Sequence, residues 1–255
     1  MRAQAGAVKA GFDSFVAAPL TSPRRPSNEQ PSAGGARVPL LKLIVANKAY
    51  SSWSLRPWIL LAHFKIPFED VTIPLDLPET RGLILEHSPT GKCPALRDGP
   101  ITVWESLAII EYVAEAFPDK AIWPRGKAAR ALARSLSSEM HAGFQALRQH
   151  CPTNFRRPVR KIELPDTVLA DVERIEAAWQ GAREKFGRAG PFLFGRFCAA
   201  DAMFAPVVNR LHVYDVPVSR TTRDYMDAIM ALPAWKAWVA DAEAESWRIQ
   251  KYESV

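Results

Sequence analysis

From residue 39 onward the apolar positions fall into two regimes. Leu40-Leu41-Lys42-Leu43-Ile44-Val45 is a short apolar run of strand length and predicts a first strand over Leu40–Ala46. Leu55, Trp58, Ile59 and Ala62 then recur at i, i+3, i+4 and i+7, which is one face of a helix. Phe68–Pro74 reads as a second strand suited to a sheet edge, Glu79–His87 as helical or irregular, and Ser88–Leu96 as the approach to a third strand. Asp98-Gly99 is a hairpin turn signal, with Ile101–Trp104 as the returning strand. Glu105-Ser106 opens a helix whose Leu107, Ile110, Val113, Ala114 and Phe117 share a face. Beyond Trp123-Pro124 no strand pattern recurs. Helical periodicity covers 127–149, 167–187, 199–214, 222–231 and 234–246, broken at Pro152, Pro165, Gly187–Pro191, Pro217 and Pro233. The pattern predicts a β-α-β-α-β-β-α domain over 39–119 and an all-α domain over 125–250.

Residues 1–38 differ in kind. They are rich in Ala, Gly, Ser and Pro without sustained periodicity, and read as a flexible N-terminal extension or as an upstream start codon wrongly chosen. Lys9 and Asp13 interrupt any secretory apolar region. The formal charge is +6, but this stretch carries five basic and two acidic residues, so only about +3 belongs to the folded body. That argues against a nucleic-acid partner, with Arg156-Arg157 and Arg160-Lys161 read as a solvated face. Lys42 breaks the best candidate for a membrane span, so no membrane is expected. Cys93, Cys151 and Cys198 are odd in number, far apart and without C-x-x-C spacing, which argues against disulfides and zinc and for a reducing, cytoplasmic setting.

The candidate chemistry sits at Tyr50-Ser51-Ser52-Trp53-Ser54-Leu55-Arg56-Pro57-Trp58, between the first strand and the first helix. Hydroxyls beside the unpaired N–H groups of a helix start suit holding and polarising an anion. Proline is tolerated only in the first helical turn, so Pro57 favours Ser54 over Ser51 as N-cap. Ser51 and Ser52 are then left to face a ligand. The alternative is that both serines merely complete the turn.

Three motifs in order, Ser51–Arg56, Ser88–Leu96 and Trp104-Glu105-Ser106, together resemble the glutathione S-transferase family, zeta-like and related bacterial serine-type members in particular, over about 40–250. The resemblance implies a thioredoxin-like first domain. Where redox members of that fold carry Cys-x-x-Cys, this chain has Ser51 and Ser54, so dithiol exchange is excluded and a reactive sulfur must arrive with the ligand, glutathione. A thiol of ordinary pKa near about 8.5 is lowered at a helix N-terminus, and a hydrogen bond to the thiolate lowers it further. Ser51 is assigned as thiolate stabiliser, with Ser52 in reserve. Pro94 matches the family's cis-proline, which would turn the backbone of Cys93 towards a peptide-like ligand, leaving the Cys93 thiol inert. Ser106 suits a carboxylate and Glu105 an ammonium, the two groups at the γ-glutamyl end of glutathione.

In the helical half, Ser137, His141, Phe144 and Arg148 are spaced to share one face of the first long helix. They are expected to line the second-substrate pocket, with Arg148 and also Arg157 drawing an acidic or electrophilic substrate. Cys198 replaces the hydroxyl of the family's Ser/Thr-x-x-Asp capping box, which should weaken or lose its forward bond. The resemblance implies a homodimeric, metal-free enzyme using glutathione as co-substrate against a small electrophilic molecule, by conjugation or isomerisation. The competing reading is a non-catalytic binding or scaffold module of the same fold.

Overall fold

The computed structural model describes residues 40–254, and the N-terminal extension lies outside them. The chain begins with strand β1 (Leu41–Ala46), helix α1 (Ser52–His63), strand β2 (Phe68–Ile73) and short helix α2 (Thr80–Leu85). Strands β3 (Ala95–Asp98) and β4 (Ile101–Trp104) form the hairpin predicted at Asp98-Gly99, and helix α3 (Ser106–Ala116) closes the domain. The sheet order is β2-β1-β3-β4, with β1 parallel to β2 and antiparallel to β3, and β3 antiparallel to β4.

The apolar run of β1 is explained by burial on both faces. Leu43 and Val45 enter the main core with α1 and α3, whereas Ile44 points the other way into a small cluster with Ile73, Ala95 and Ile84 of α2. The sheet is therefore sandwiched between α1 and α3 on one side and α2 on the other.

The regular elements that remain among the described residues are helices, apart from isolated bridges near Phe192–Arg196. Helices α4 (Lys127–Ala142), α5 (Gln145–His150), α6 (Asp166–Phe186), α7 (Ala199–Val213), α8 (Arg220–Met230), α9 (Pro233–Ala244) and α10 (Gln250–Glu253) follow. The expected long helix over 127–149 is two helices. Gly143 ends α4, and Phe144 takes a left-handed φ of 62° before α5. Helix α7, apolar almost all round, runs through the centre against α1 and α4, so one core joins sheet and helices. Its cap keeps the expected weak forward bond, a thiol sulfur being a poor acceptor. The Cys198 sulfur does accept the Asp201 N–H, while Asp201 takes the N–H groups of Cys198 (2.9 Å) and Leu193 (3.1 Å).

Candidate active site

The turn after β1 is built by Asn47, whose carbonyl accepts the N–H groups of Tyr50 (3.1 Å) and Ser51 (2.8 Å). Helix α1 then starts one turn earlier than the proline argument predicts. Ser51 is the N-cap, its hydroxyl accepting from Ser54 N–H at 3.3 Å and donating to Ser54 Oγ at 2.9 Å. Ser54 is fully buried and ties the helix to the strand by accepting Ala46 N–H at 3.0 Å. Pro57 therefore lies inside the helix. An interior proline costs roughly 3 kcal/mol, but the same start buries Leu55, Trp58 and Ile59, each contributing about 1.5–3 kcal/mol. Packing outweighs the local penalty. Ser52 is the first helical residue, and its hydroxyl has no protein partner among the described residues.

Two adjoining cavities open at this turn. The larger, about 590 Å3, is lined by Ser51, Ser52 and Trp53, by the loop ahead of β3 (Lys92, Cys93), and by Arg148, Thr153 and Arg210 of the helical half. The smaller, about 180 Å3, is lined by Trp53, Thr90, Lys92, Cys93, Pro94 and Glu105. The Cys93–Pro94 bond is cis. Burial pushes the Cys93 thiol up to about 12, so it stays protonated at neutral pH and is no nucleophile.

The other predicted residues divide. Glu105 takes a φ of 68°, a conformation rare outside glycine, immediately before α3. Ser106 is fully buried, with Arg56 Nη1 3.5 Å from its hydroxyl, and it lines neither cavity. Of the four residues expected to share a helix face, only Arg148 reaches the larger cavity. Ser137 is buried and donates back to Ala133 O at 2.8 Å, and Phe144 is a core residue at the break between α4 and α5. His141 sits beside the smaller cavity instead. Its ring meets Trp53 edge-on at 5.1 Å, and Nε2 is 3.6 Å from Glu105. Burial and the nearby Arg56 lower its pKa. The correction is geometric: a shared face needs one continuous helix, and Gly143-Phe144 interrupts it. Arg157 is turned away onto Tyr214, 4.1 Å from the ring, and donates to the carbonyls of Pro158, Arg160 and Val213.

Trp53 is clasped between two guanidinium groups, Arg56 at 4.2 Å and Arg148 at 4.8 Å from its ring centroid. Burial, then repulsion from Arg148 and Arg210, lowers the pKa of Arg56, which is fully enclosed. Sequence reasoning missed Trp53, Thr153 and Arg210. A charged residue within the largely apolar Ala199–Val213 stretch was the available signal for Arg210.

The four-stranded sheet with α1 and α3 on one side and α2 on the other, carrying a serine-capped helix start beside a cis-proline loop, defines a thioredoxin-like domain followed by an all-helical one. Residues 50–116 match the glutathione S-transferase N-terminal domain and residues 128–241 the C-terminal domain, so the chain belongs to the glutathione S-transferase family. It is 38% identical over 98 residues to a probable maleylacetoacetate isomerase of Caenorhabditis elegans, covering 38% of this chain and 45% of that protein. It is 44% identical over 60 residues to a dichloromethane dehalogenase of Methylorubrum extorquens, covering 23% and 21%. The chain thus spans less than half the length of these two curated relatives. A glutathione transferase homologue from Burkholderia gl BGR1, solved with bound glutathione, superposes with a TM-score of 0.63 at 24% identity, covering 81% of this chain and 100% of that one. That likeness speaks to the fold.

Proposed function

We propose that the protein is a glutathione-dependent enzyme that activates the thiol of glutathione for attack on a small electrophile. The observation that carries this reading is the meeting of Ser51, Ser52 and Cys93 on one cavity, with the N-terminus of α1 adding its partial positive charge. In this reading the Ser51 hydroxyl swings its single proton from Ser54 Oγ to the thiolate, with Ser52, whose hydroxyl is uncommitted, as its neighbour. The backbone of Cys93 ahead of Pro94 pairs with the peptide part of glutathione. Glu105, which lines the smaller cavity, takes the ammonium. Attack forms a carbon–sulfur bond. Departure of a leaving group gives conjugation, whereas reversible addition across a cis double bond gives isomerisation. The isomerisation arm is favoured by the relative named a probable maleylacetoacetate isomerase.

The same reading includes a homodimer in the cytoplasm. Ile101 and Trp104, half exposed on edge strand β4, support the pairing of two copies. Among the described residues no helix is long and apolar enough to cross a membrane, and no cluster of His, Cys, Asp or Glu is arranged to hold a metal. The test is glutathione-dependent turnover of chlorodinitrobenzene and of maleylacetoacetate by the purified full chain. Turnover of either supports the enzyme. Retention on immobilised glutathione with neither turned over supports the non-catalytic module instead.

A further inference from the structure

The larger cavity has a marked charge asymmetry. Four basic side chains, Arg81, Lys92, Arg148 and Arg210, line it, and no Asp or Glu does. Two of the four lie on the helical side, away from the cis-proline loop. Arg210 is 5% exposed, and its Nη1 is held by the backbone carbonyls of Cys151 and Arg148. Arg148 donates to the carbonyls of Gly143 (2.9 Å) and Met140. Neither forms an ion pair with a carboxylate within the described chain. Burial, then repulsion from Arg148, brings the Arg210 pKa down to about 10, so the group remains cationic at neutral pH.

Burying a guanidinium with carbonyl partners alone is costly, because they replace only part of its hydration. Arg210 is in that position, whereas the half-buried Arg148 feels the nearby Asp171 carboxylate. Beside these two arginines lies Thr153, 3% exposed, whose buried hydroxyl has no hydrogen-bond partner. An unpaired buried hydroxyl is uncommon in a folded chain and marks a place where something else completes the bonding. Leu75, Leu77, Ile84 and Tyr252 supply apolar wall in the same cavity.

We propose that Arg148, Thr153 and Arg210 form an anion subsite for the second substrate, so that the preferred electrophile carries a carboxylate beside an apolar body. Thr153 is the specificity-determining residue. The proposal rests on the glutathione-dependent reading of this cavity, but its test is one of binding rather than turnover. The expected acidity of the substrate, inferred from the position of Arg148 in the sequence, thereby gains two partners and loses Arg157.

The experiment titrates the full chain calorimetrically with 3,5-dinitrobenzoate and with 1,3-dinitrobenzene, whose meta nitro groups do not activate one another for displacement, with and without saturating glutathione. The carboxylate is expected to bind about tenfold or more tightly than the neutral compound, since hydrogen bonds to charged groups are worth at least that factor. Thr153→Val is expected to lower this preference by about tenfold while the melting temperature holds or rises, because valine removes the orphan hydroxyl. Arg148→Met should lower the preference in the same direction. Equal affinity of the two compounds for the wild-type protein overturns the proposal, as does a folded Thr153→Val protein with the full preference. Competition between dinitrobenzoate and glutathione also overturns it, because the subsite would then hold a carboxylate of glutathione itself. If the preference is found and no conjugation is, the thiol-activation reading fails and the anion subsite stands.

Discussion

Replacing Ser51 by alanine separates its role as N-cap from its proposed role as thiolate stabiliser, because the two differ in size. As N-cap, Ser51 makes two bonds to Ser54, one accepted from N–H at 3.3 Å and one donated to Oγ at 2.9 Å. Loss of an N-cap costs typically about 1 kcal/mol, and Ser54 Oγ keeps its bond from Ala46 N–H. Melting should therefore fall by roughly 2–4 °C, the scale for a domain of this length. As thiolate stabiliser, Ser51 would supply a bond to a charged group, worth about 1.5–3 kcal/mol. That bond favours the thiolate, so it holds the wild-type thiol pKa down, and its removal lets the pKa rise by about one to two units. The pH profile of kcat/KM should move to higher pH by the same amount. Rates on the acid limb fall about 10–100-fold, and the two proteins converge above both pKa values. The assay is the ultraviolet absorbance of enzyme-bound glutathione thiolate against pH, alongside the pH–rate profile with chlorodinitrobenzene. A bound thiol whose pKa does not move in Ser51→Ala, while melting drops as expected, would refute the role of Ser51 in ionisation and leave it only a cap. Ser52→Ala, which breaks no protein hydrogen bond, is the companion that then identifies the thiolate's partner.

Two further outcomes follow from groups outside the cavities. Burial raises the Asp201 carboxyl from its ordinary 3.8 to about 6, against the pull of the Leu193 and Cys198 N–H donors. The folded protein thus keeps a proton that the unfolded chain has released, so the stability this group contributes is complete below about 3.8 and lost as pH rises through about 6. Urea midpoints of wild type and Asp201→Asn should diverge across that window, by on the order of 3 kcal/mol in total; parallel curves would contradict it. Lys48, in the loop before the serine turn, places its ammonium 2.6 Å from both Asp70 on β2 and Asp241 on α9, above the rings of Trp58 and Trp238. Lys48→Met should cost on the order of 2 kcal/mol by thermal melting, less than the roughly 3–5 kcal/mol of a fully buried pair, because Asp241 is half exposed to solvent.

Periodicity made most elements legible because each buries one consistent face, while β1, buried on both, shows as a continuous apolar run. The β3–β4 hairpin and helices α6, α7, α8 and α9 all lie within a few residues of where the apolar pattern puts them. What stayed hidden depends on backbone conformation and on distant packing. Spacing of 4, 3 and 4 linked Ser137 to Arg148 only if the helix continued, and Gly143 beside a left-handed Phe144 ends it. A glycine inside a helical pattern was the local warning. Thr153 lies in the segment between α5 and α6, where no period assigns a face. Arg210 was masked by the apolar helix that carries it into the core. The cavity's cationic side was thus the least legible part of the site, since Arg148, Thr153 and Arg210 come to one cavity only where Arg210 of α7 reaches the carbonyls of Arg148 and Cys151 at the end of α5.

The misplaced cap has the same origin. A local argument weighs Pro57 against the first turn, but the turn before Ser51 is held by residues from the far end of the chain. Glu245 accepts the N–H groups of Lys48 (2.5 Å) and Ala49 (3.1 Å). The Tyr50 hydroxyl accepts from Arg156 at 2.6 Å and from Ile249 N–H at 3.3 Å, and donates to Glu253. These bonds fix Lys48, Ala49 and Tyr50 before the helix begins, so Ser51 is the first position at which the chain can turn into α1. The segment after α9 therefore acts on the candidate thiol site twice. It sets the backbone that presents Ser51, and it carries Tyr252, which lines the larger cavity and packs on the Tyr50 ring at 5.5 Å. Placement of Ser51 and closure of the cavity are consequences of one set of long-range bonds, and a sequence window around the serines contains neither half of that arrangement.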